Sequence, residues 1–420
     1  MAKKGTKVRI EDLQDVYQFC AGIDVHKAAV TVCVIRGKGP GVEAELVEYG
    51  TTTGELRQLA EWLREQGVTH VAMESTGVYW RPVWQILESA GLQLLLANAK
   101  KVRNVPGRKT DQSDAIWLAT LLRKGLIEGS FIPPEGIRAL RDLCRSRASL
   151  VRDRTRVIQR IEKVLEEGNV KLDVVASDLV GVSGLRMLER LAEGETDTTA
   201  MAELALGRLR SKIPQLTEAL EGSFRKHQLF LLKELLEQYD YLCKKIERFE
   251  IQIEDSARPI EEQVQRLDAI PGVNRLTAIA VLSEIGIDMS RFPTPQQLCK
   301  WATICPGNRE SAGKRKSGVT GRGNRWLRGT LTQCAWAATH DKNSYLAVQH
   351  RRLLHRGNQR ALVAVAHSVL NIIWHLLRNQ IDYQDLGVDY FERQNLEGQK
   401  RAYVKKLEKL GFTVKLEPAA

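Results

Sequence analysis

The chemistry available in the first third of this sequence rests on four carboxylates. They are Asp24 in "GIDVHK", Glu74 in "VAMEST", and Asp111 and Asp114 in "VPGRKTDQSDAIWLATLLRKG". Asp111 and Asp114 stand three apart at the start of a helix, so they share a face. One carboxylate is enough to cap the first turn and complement its positive end; the second needs another use. Acids gathered in one place repel and raise one another's pKa. Hard divalent cations with oxygen ligands remove that cost, and two of them can hold a phosphate and stabilise its attacking and leaving oxygens. Magnesium is the expected metal, with manganese as a substitute. His26, two residues past Asp24, is expected to pack or hydrogen-bond on the opposite side rather than join the metal.

A nucleophile is available further on. From Arg291 to Thr330 the chain holds nine Lys or Arg and one acid, Glu310. The stretch "CPGNRESAGKRKSGVTGRGNRWLRG" mixes Gly, Ser and cations without apolar periodicity, so a flexible loop is expected there, leading into the helix "NRWLRGTLTQCAWAATH". A serine among cations can attack a phosphodiester, because nearby Lys and Arg stabilise the developing charge. From chemistry alone Ser311, Ser317 and Thr320 are equivalent. Lys314, Arg315, Lys316, Arg322 and Arg325 are the loop's candidate nucleic-acid contacts, as are Arg108 and Lys109 before the Asp111 helix.

The elements that must position these groups follow from pattern. "YQFCAGIDV", "AAVTVCVIR" and "VEAELVEYG" read as three successive strands, which pair antiparallel. A helix in "TGELRQLAEWLREQG", a strand in "HVAMES", a helix in "VYWRPVWQILESAG", a strand in "LQLLLAN" and the Asp111 helix complete a βββαβαβα order. A mixed sheet flanked by helices results, in the order of the ribonuclease H-like fold. There the first and fourth strands are neighbours, so Asp24 and Glu74 point into one place, beside the Asp111 helix. In "STGVYWRPVW", Trp84 is expected in the core, while Tyr79 is equally suited to packing or to stacking on a base.

Residues 136–262 read as helical. Between Arg138 and Lys163 there are nine Lys or Arg against three acids. Leu143, Leu150, Val157, Ile161 and Leu165 form a stripe that leaves Arg145, Arg152, Arg156 and Arg160 outside it as candidate nucleic-acid contacts. Leu232, Leu235, Tyr239, Leu242, Ile246, Phe249 and Ile253 form a heptad seam, suited to an intramolecular hairpin, a dimer contact or both. A third region, 263–385, opens on "IPGVNRLTAIA". A Pro-Gly turn before a helix is the form used in helix-hairpin-helix modules, which offer backbone N–H groups to a phosphate. Residues 1–16 are a basic leading tail, 17–135 the α/β domain, and 386–420 a charged tail.

Composition agrees with a polyanionic partner. The chain of 420 residues has 43% hydrophobic and 27% charged residues and a formal net charge of +12; an excess of Lys and Arg favours nucleic acid. No apolar run approaches the roughly 18 residues of a membrane span, and "MAKKGTKVRIEDLQD" lacks a signal-peptide apolar segment, so a cytoplasmic protein is expected. The seven scattered cysteines never form CxxC, which fits reduced thiols.

"GIDVHK", "AMESTGVYW", "RKTDQSDA", "IPGV…TAIAVLSEIG" and "CPGNRESAGKRKSGVTGRGNRWLR", in that order over nearly the whole chain, together resemble the DEDD-type insertion-sequence transposases. That family, the bridge-RNA-guided recombinases, joins an N-terminal RuvC-like domain to a C-terminal serine-bearing transposase domain. The resemblance implies that Asp24, Glu74, Asp111 and Asp114 are the magnesium-binding acids. It implies Ser311 as the nucleophile that becomes joined to DNA. It also implies a dimer or tetramer acting on donor and target DNA with a structured guide RNA. The rivals are a RuvC-like junction nuclease using water, and a non-catalytic nucleic-acid scaffold.

Overall fold

β1 (Phe19–Val25) buries six of its seven residues, the mark of a central strand covered on both faces. It pairs antiparallel with β2 (Ala29–Arg36), which pairs antiparallel with β3 (Ala44–Gly50). On its other side it pairs parallel with β4 (His70–Glu74), and β4 with β5 (Gln93–Ala97). The sheet order is therefore β3-β2-β1-β4-β5. This computed structural model describes residues 14–415 apart from 38, 40, 41, 75, 76, 99–110, 306–308, 312, 313, 318–320 and 322. Residues 111, 113, 309–311, 314–317, 395, 397 and 399 are described in their backbone alone. Arg108, Lys109, Thr320 and Arg322 thus lie outside the described residues.

Two helices cover one face of the sheet. They are α1 (Thr53–Glu65), opened by a Thr52–Glu55 capping box, and α2 (Trp80–Ser89). Leu56, Leu59, Leu63, Val83, Trp84 and Leu87 pack there on Ala21, Ile23, Val71 and Met73. Trp84 is core, as expected, edge-on to Trp80 at 5.8 Å. The other face takes α3 (Asp111–Arg123), whose Ala115, Ala119 and Leu122 meet Cys20 and Ala72. This packing is close because of Gly22. A Cβ there would overlap the backbone nitrogen of Ala119 and the carbonyl oxygen of Ala115.

Contacts divide the chain into two compact units, Met1–Ile132 and Pro133–Ala420. Within the second unit the helical region and the third region share contacts, such as Arg145 with Glu284. α4 (Glu135–Glu167) runs along the unit and, after the shorter α5 (Leu172–Val175), α6 (Val182–Ala192), α7 (Thr198–Ala202) and α8 (Ile213–Leu220), meets α9 (Lys226–Ala257). Arg147 pairs with Glu250 and Arg154 reaches Cys243, so α4 and α9 run antiparallel. The heptad seam is thus used within the chain: Leu232, Leu242, Ile246 and Ile253 are buried.

α10 (Glu261–Asp268) and α11 (Arg275–Ile285) are joined by the Pro271–Gly272 turn. Gly272 has φ +82°, and a Cβ on it would overlap the backbone at Cys334 and Ala338, so this glycine serves close helix packing. Arg275 forks onto Glu261 at 2.7 and 2.6 Å, binding the two helices across the turn. α12 (Pro295–Trp301) precedes a two-stranded hairpin, β6 (Arg309–Ser311) and β7 (Lys314–Ser317). A hairpin therefore stands where a flexible loop is expected; the strands are too short and polar to show a period of two. α13 (Arg325–Ala338), α14 (Tyr345–Leu353), α15 (Asn358–Asn379) and α16 (Tyr390–Lys409) follow. α15 is long and apolar enough to cross a membrane by length and composition. Ser368, Asn371 and His375 interrupt its sequence, and ten of its residues are packed inside the unit, as befits a core helix.

Gly22→Ala is expected to destabilise the first unit by about 1–3 kcal/mol, the cost of overpacking against backbone that cannot give way. Gly54→Ala, in α1 with open space around it, is expected to stabilise by about 0.5–1 kcal/mol; urea unfolding of both variants checks this. A second expectation concerns Glu261. The Arg275 guanidinium, aided by Gln265, holds its carboxyl at about 2, below its ordinary value of 4.5. A depressed carboxyl contributes stability above its ordinary value and loses it as pH falls through the folded one. The stability gap between wild type and Glu261→Gln should be full above pH 4.5 and close as pH falls to about 2.

Candidate active site and nucleic-acid surface

The register Ile23↔Met73 places Asp24 and Glu74 side by side at the C-terminal ends of parallel neighbours. Alternation puts them on the same face as Cys20, Gly22 and Ala72, the face that α3 covers. Each is 9% exposed. α3 runs against β1: Cys20 meets the carbonyl of Ala119, Gly22 meets Ala115, and the first turn lies further toward Asp24. The opposite end is pinned by Arg123, which donates to Asp15 at 2.6 Å, with Lys124 at 2.8 Å from the same carboxylate. These two cations hold the Asp15 carboxyl far below the usual carboxylate range.

Asp111 opens α3, and its side chain lies outside the described residues. Asp114, one turn on, is exposed. Among the described residues no three His, Cys, Asp or Glu side chains gather closely enough to hold a metal ion; Asp24 and Glu74 are the pair brought together. His26 corrects the expectation set for it. The strand ends at Val25, the chain turns back through the bond from His26 N to Ala29 O, and the imidazole Nε2 lies 3.1 Å from Asp24 Oδ2. His26 therefore sits on the Asp24 side. Val78 and Tyr79, at the start of α2, are exposed at 65% and 43%, which leaves the Tyr79 ring open to a partner.

In the second unit, Ser311 pairs with Lys314 next to the hairpin turn, whereas Ser317 pairs with Arg309 at the hairpin base. The backbone thus separates two serines that composition leaves equivalent. Lys314, Arg315 and Lys316 are consecutive in β7. The candidate arginines of α4 differ among themselves. Arg156 is exposed and bonded to Asp153, and Arg160 is exposed. Arg152 lies over the Trp326 ring at 4.3 Å, as does Arg325 at 4.9 Å. Arg145 turns inward, with Nε and Nη2 on the two carboxylate oxygens of Glu284 at 2.7 and 2.8 Å. Its fork is occupied by protein.

Glu284 is the functional-looking residue that sequence reasoning missed. It is 3% exposed on an apolar helix. Asn324, the N-cap of α13, donates to it at 2.6 Å, and Arg141 donates to the Ser283 and Glu284 carbonyls. Glu284 thereby ties α4 to α11 and to the residue that ends the serine segment. A lone acid in "AIAVLSEIG" was the available signal. Burial pushes the neighbouring Cys144 thiol up to about 11, so it stays protonated and inert.

Removing one partner of a buried ion pair strands the other charge. Glu284→Ala is expected to cost about 3–5 kcal/mol, and Glu284→Gln less, since its amide oxygen still accepts from Arg145. Chemical unfolding of both variants checks the ranking.

Two family models match this chain. One, described as a transposase of the DEDD IS110 type, matches residues 21–169, and that of the transposase IS116/IS110/IS902 family matches residues 264–351. The first spans the sheet, α3 and α4; the second spans α10 to α14 with the serine hairpin. The chain is 27% identical over 380 residues to the transposase for insertion sequence element IS1111A of Coxiella burnetii, covering 86% of this chain and 90% of that protein. It is 24% identical over 364 residues to a putative transposase, y4qE, of Sinorhizobium fredii, covering 86% and 79%. The transposase for insertion sequence element IS1328 of Yersinia enterocolitica is 25% identical over 283 residues, covering 66% and 73%. Two separate stretches of the chain match models of one kind, and the relatives named run through most of its length. The chain belongs to the IS110/IS116 family of insertion-sequence transposases, enzymes that act on DNA.

Proposed function

We propose that this transposase exchanges DNA strands through a covalent link to Ser311, with Asp24, Glu74, Asp111 and Asp114 forming a divalent-cation edge in a ribonuclease H-like domain. The observation that carries the reading is the pairing of two buried carboxylates, Asp24 and Glu74, on neighbouring strand ends beneath the first turn of α3. The strand order β3-β2-β1-β4-β5 supports the fold assignment.

The donor set is hard and all-oxygen, which suits magnesium or manganese. Bound there, such a cation supplies positive charge beside a phosphodiester. The residues of the chain do the rest. His26 orients the Asp24 carboxylate, as outer hydrogen-bond partners of ligating groups do. The Ser311 Oγ forms a new ester bond to a DNA phosphorus, its proton leaves, and one DNA hydroxyl departs protonated. A second DNA hydroxyl then displaces Ser311, so phosphodiester bonds are conserved overall. Lys314, Arg315 and Lys316 are the cations that stabilise the added negative charge.

The acids and the serine belong to different compact units. This supports a homo-oligomer, a dimer or tetramer, in which the acids of one subunit serve the serine of another. Basic residues lie on α4 and in the serine segment, enough for donor and target DNA together with a structured guide RNA; phosphate contacts alone carry no identity.

The test is denaturing electrophoresis of the full chain with its co-purified RNA, magnesium and labelled junction DNA. A protein-linked DNA band is expected for wild type, falling by about 100-fold or more in Ser311→Ala and in Asp24→Ala, and lost on chelation. Free cleavage product surviving Ser311→Ala would instead assign the chemistry to water and a nuclease.

A further inference from the structure

We propose that the cleft beside Trp326 binds one unpaired nucleotide of a nucleic-acid strand, with Arg152 and Arg325 on its phosphate and its base layered on the Arg152–Trp326 tier. This deepens the reading above and rests on it for the class of ligand. The cleft measures about 450 Å³ and lies wholly within the second unit, between α4, α11 and α13. Its lining holds five arginines and one acid, Glu284.

These arginines are not equivalent. Arg145 is committed to Glu284 and Arg147 to Glu250. Among the described residues no carboxylate pairs with Arg152, Arg154 or Arg325. Cations left without counter-charge on a concave wall make an anion site, because the low-dielectric wall focuses their field. Arg152 and Arg325 also share one aromatic neighbour. Their guanidinium carbons lie 4.3 and 4.9 Å from the centre of the Trp326 ring, and Arg152 is tethered to Ala148 O and Ser149 Oγ at 3.2 and 3.0 Å. A guanidinium over an indole offers a phosphate the N–H groups it does not use elsewhere, which for Arg152 are those of Nη1, and ordering it beforehand lowers the entropy lost on binding.

The aromatic tier says which part of a nucleic acid enters. Every base has a π-face that can stack on an aromatic ring or on an arginine plane. In a duplex those faces are hidden, so only an unpaired or extruded nucleotide can use such a tier. Thr330 and Gln333 stand in the same lining and offer hydrogen-bonding groups to a base edge. Nothing in this chemistry separates ribose from deoxyribose, so a strand of either sugar fits and the test carries both.

Fluorescence anisotropy of the full chain with labelled single-stranded RNA, single-stranded DNA and duplex DNA of about twelve nucleotides, at several salt concentrations, tests the site. Trp326→Ala is expected to weaken single-strand binding by about tenfold, and Trp326→Phe by less, since a ring remains. Arg152→Gln with Arg325→Gln should lower the slope of log affinity against log salt by about two. Arg190→Gln, at an exposed arginine of α6 paired with Glu193, is the control for general loss of charge. The sugar whose affinity falls more in Trp326→Ala identifies the source strand. Single-strand affinities within about twofold of wild type in both the Trp326→Ala and the double arginine variants would overturn the site while leaving nucleic-acid binding in place. Absence of binding by wild type at low salt would instead remove the reading on which the site rests. Arg152 and Arg325 are both exposed, so the double variant keeps its fold and carries the test even where Trp326→Ala does not.

Discussion

Burying an ionised carboxylate is costly unless it is neutralised and hydrogen-bonded, and this molecule meets that constraint in two ways. Glu284 is surrounded by donors: the Arg145 fork, Arg141 and the Asn324 amide. Its oxygens are satisfied by protein, so its role is to hold three helices together. Asp24 and Glu74 are buried to a similar degree, but the sheet register sets one carboxylate beside another. On the proposed reading, that juxtaposition is what a divalent cation would use. On that reading the same residue type serves architecture in one unit and chemistry in the other.

The geometry at Asp24 depends on a contact that involves no charge. Gly22 allows α3 to lie directly on β1, and the direction of α3 decides which of its ends meets which end of the strand. Arg123 and Lys124 close on Asp15 just before β1 begins, fixing the C-terminal end of the helix. Its N-terminal end, with Asp111, is thereby set toward Asp24. An ion pair at one end and a side-chain-free crossing in the middle thus set the direction of the helix that carries Asp111 and Asp114.

Much of the first unit was legible because its signals are local. Alternating apolar runs mark the strands, and the order of elements brings β1 beside β4, so the meeting of Asp24 with Glu74 follows from the sequence. His26 was misplaced because its direction depends on where β1 ends, a matter of one residue. In the second unit the decisive pairings are remote. Arg145 looks like its neighbours along α4, and only the packing of α11, 139 residues away, gives it a buried partner. The hairpin around Ser311 escaped notice because two strands of three and four polar residues carry no pattern. Gly272, read in the sequence through the phosphate-binding use of Pro-Gly turns, also lies at a close helix crossing, which no local pattern shows.

Net charge alone could not have located a binding surface here. Of the arginines along α4, Arg141, Arg145 and Arg147 have protein acids as partners, and those contacts belong to the stability of the fold. Arg152 lies two helical turns beyond Arg145 and looks onto the same indole, at 4.3 Å against 5.9 Å, yet among the described residues has no such acid. A single helix face therefore passes from structural to available charge within seven residues. Salt separates the two kinds: screening acts strongly on exposed charge and weakly on the buried Glu284 cluster. Electrolyte that strips a nucleic acid from Arg152 leaves the Arg145–Glu284 contact, and with it the start of α13, in place.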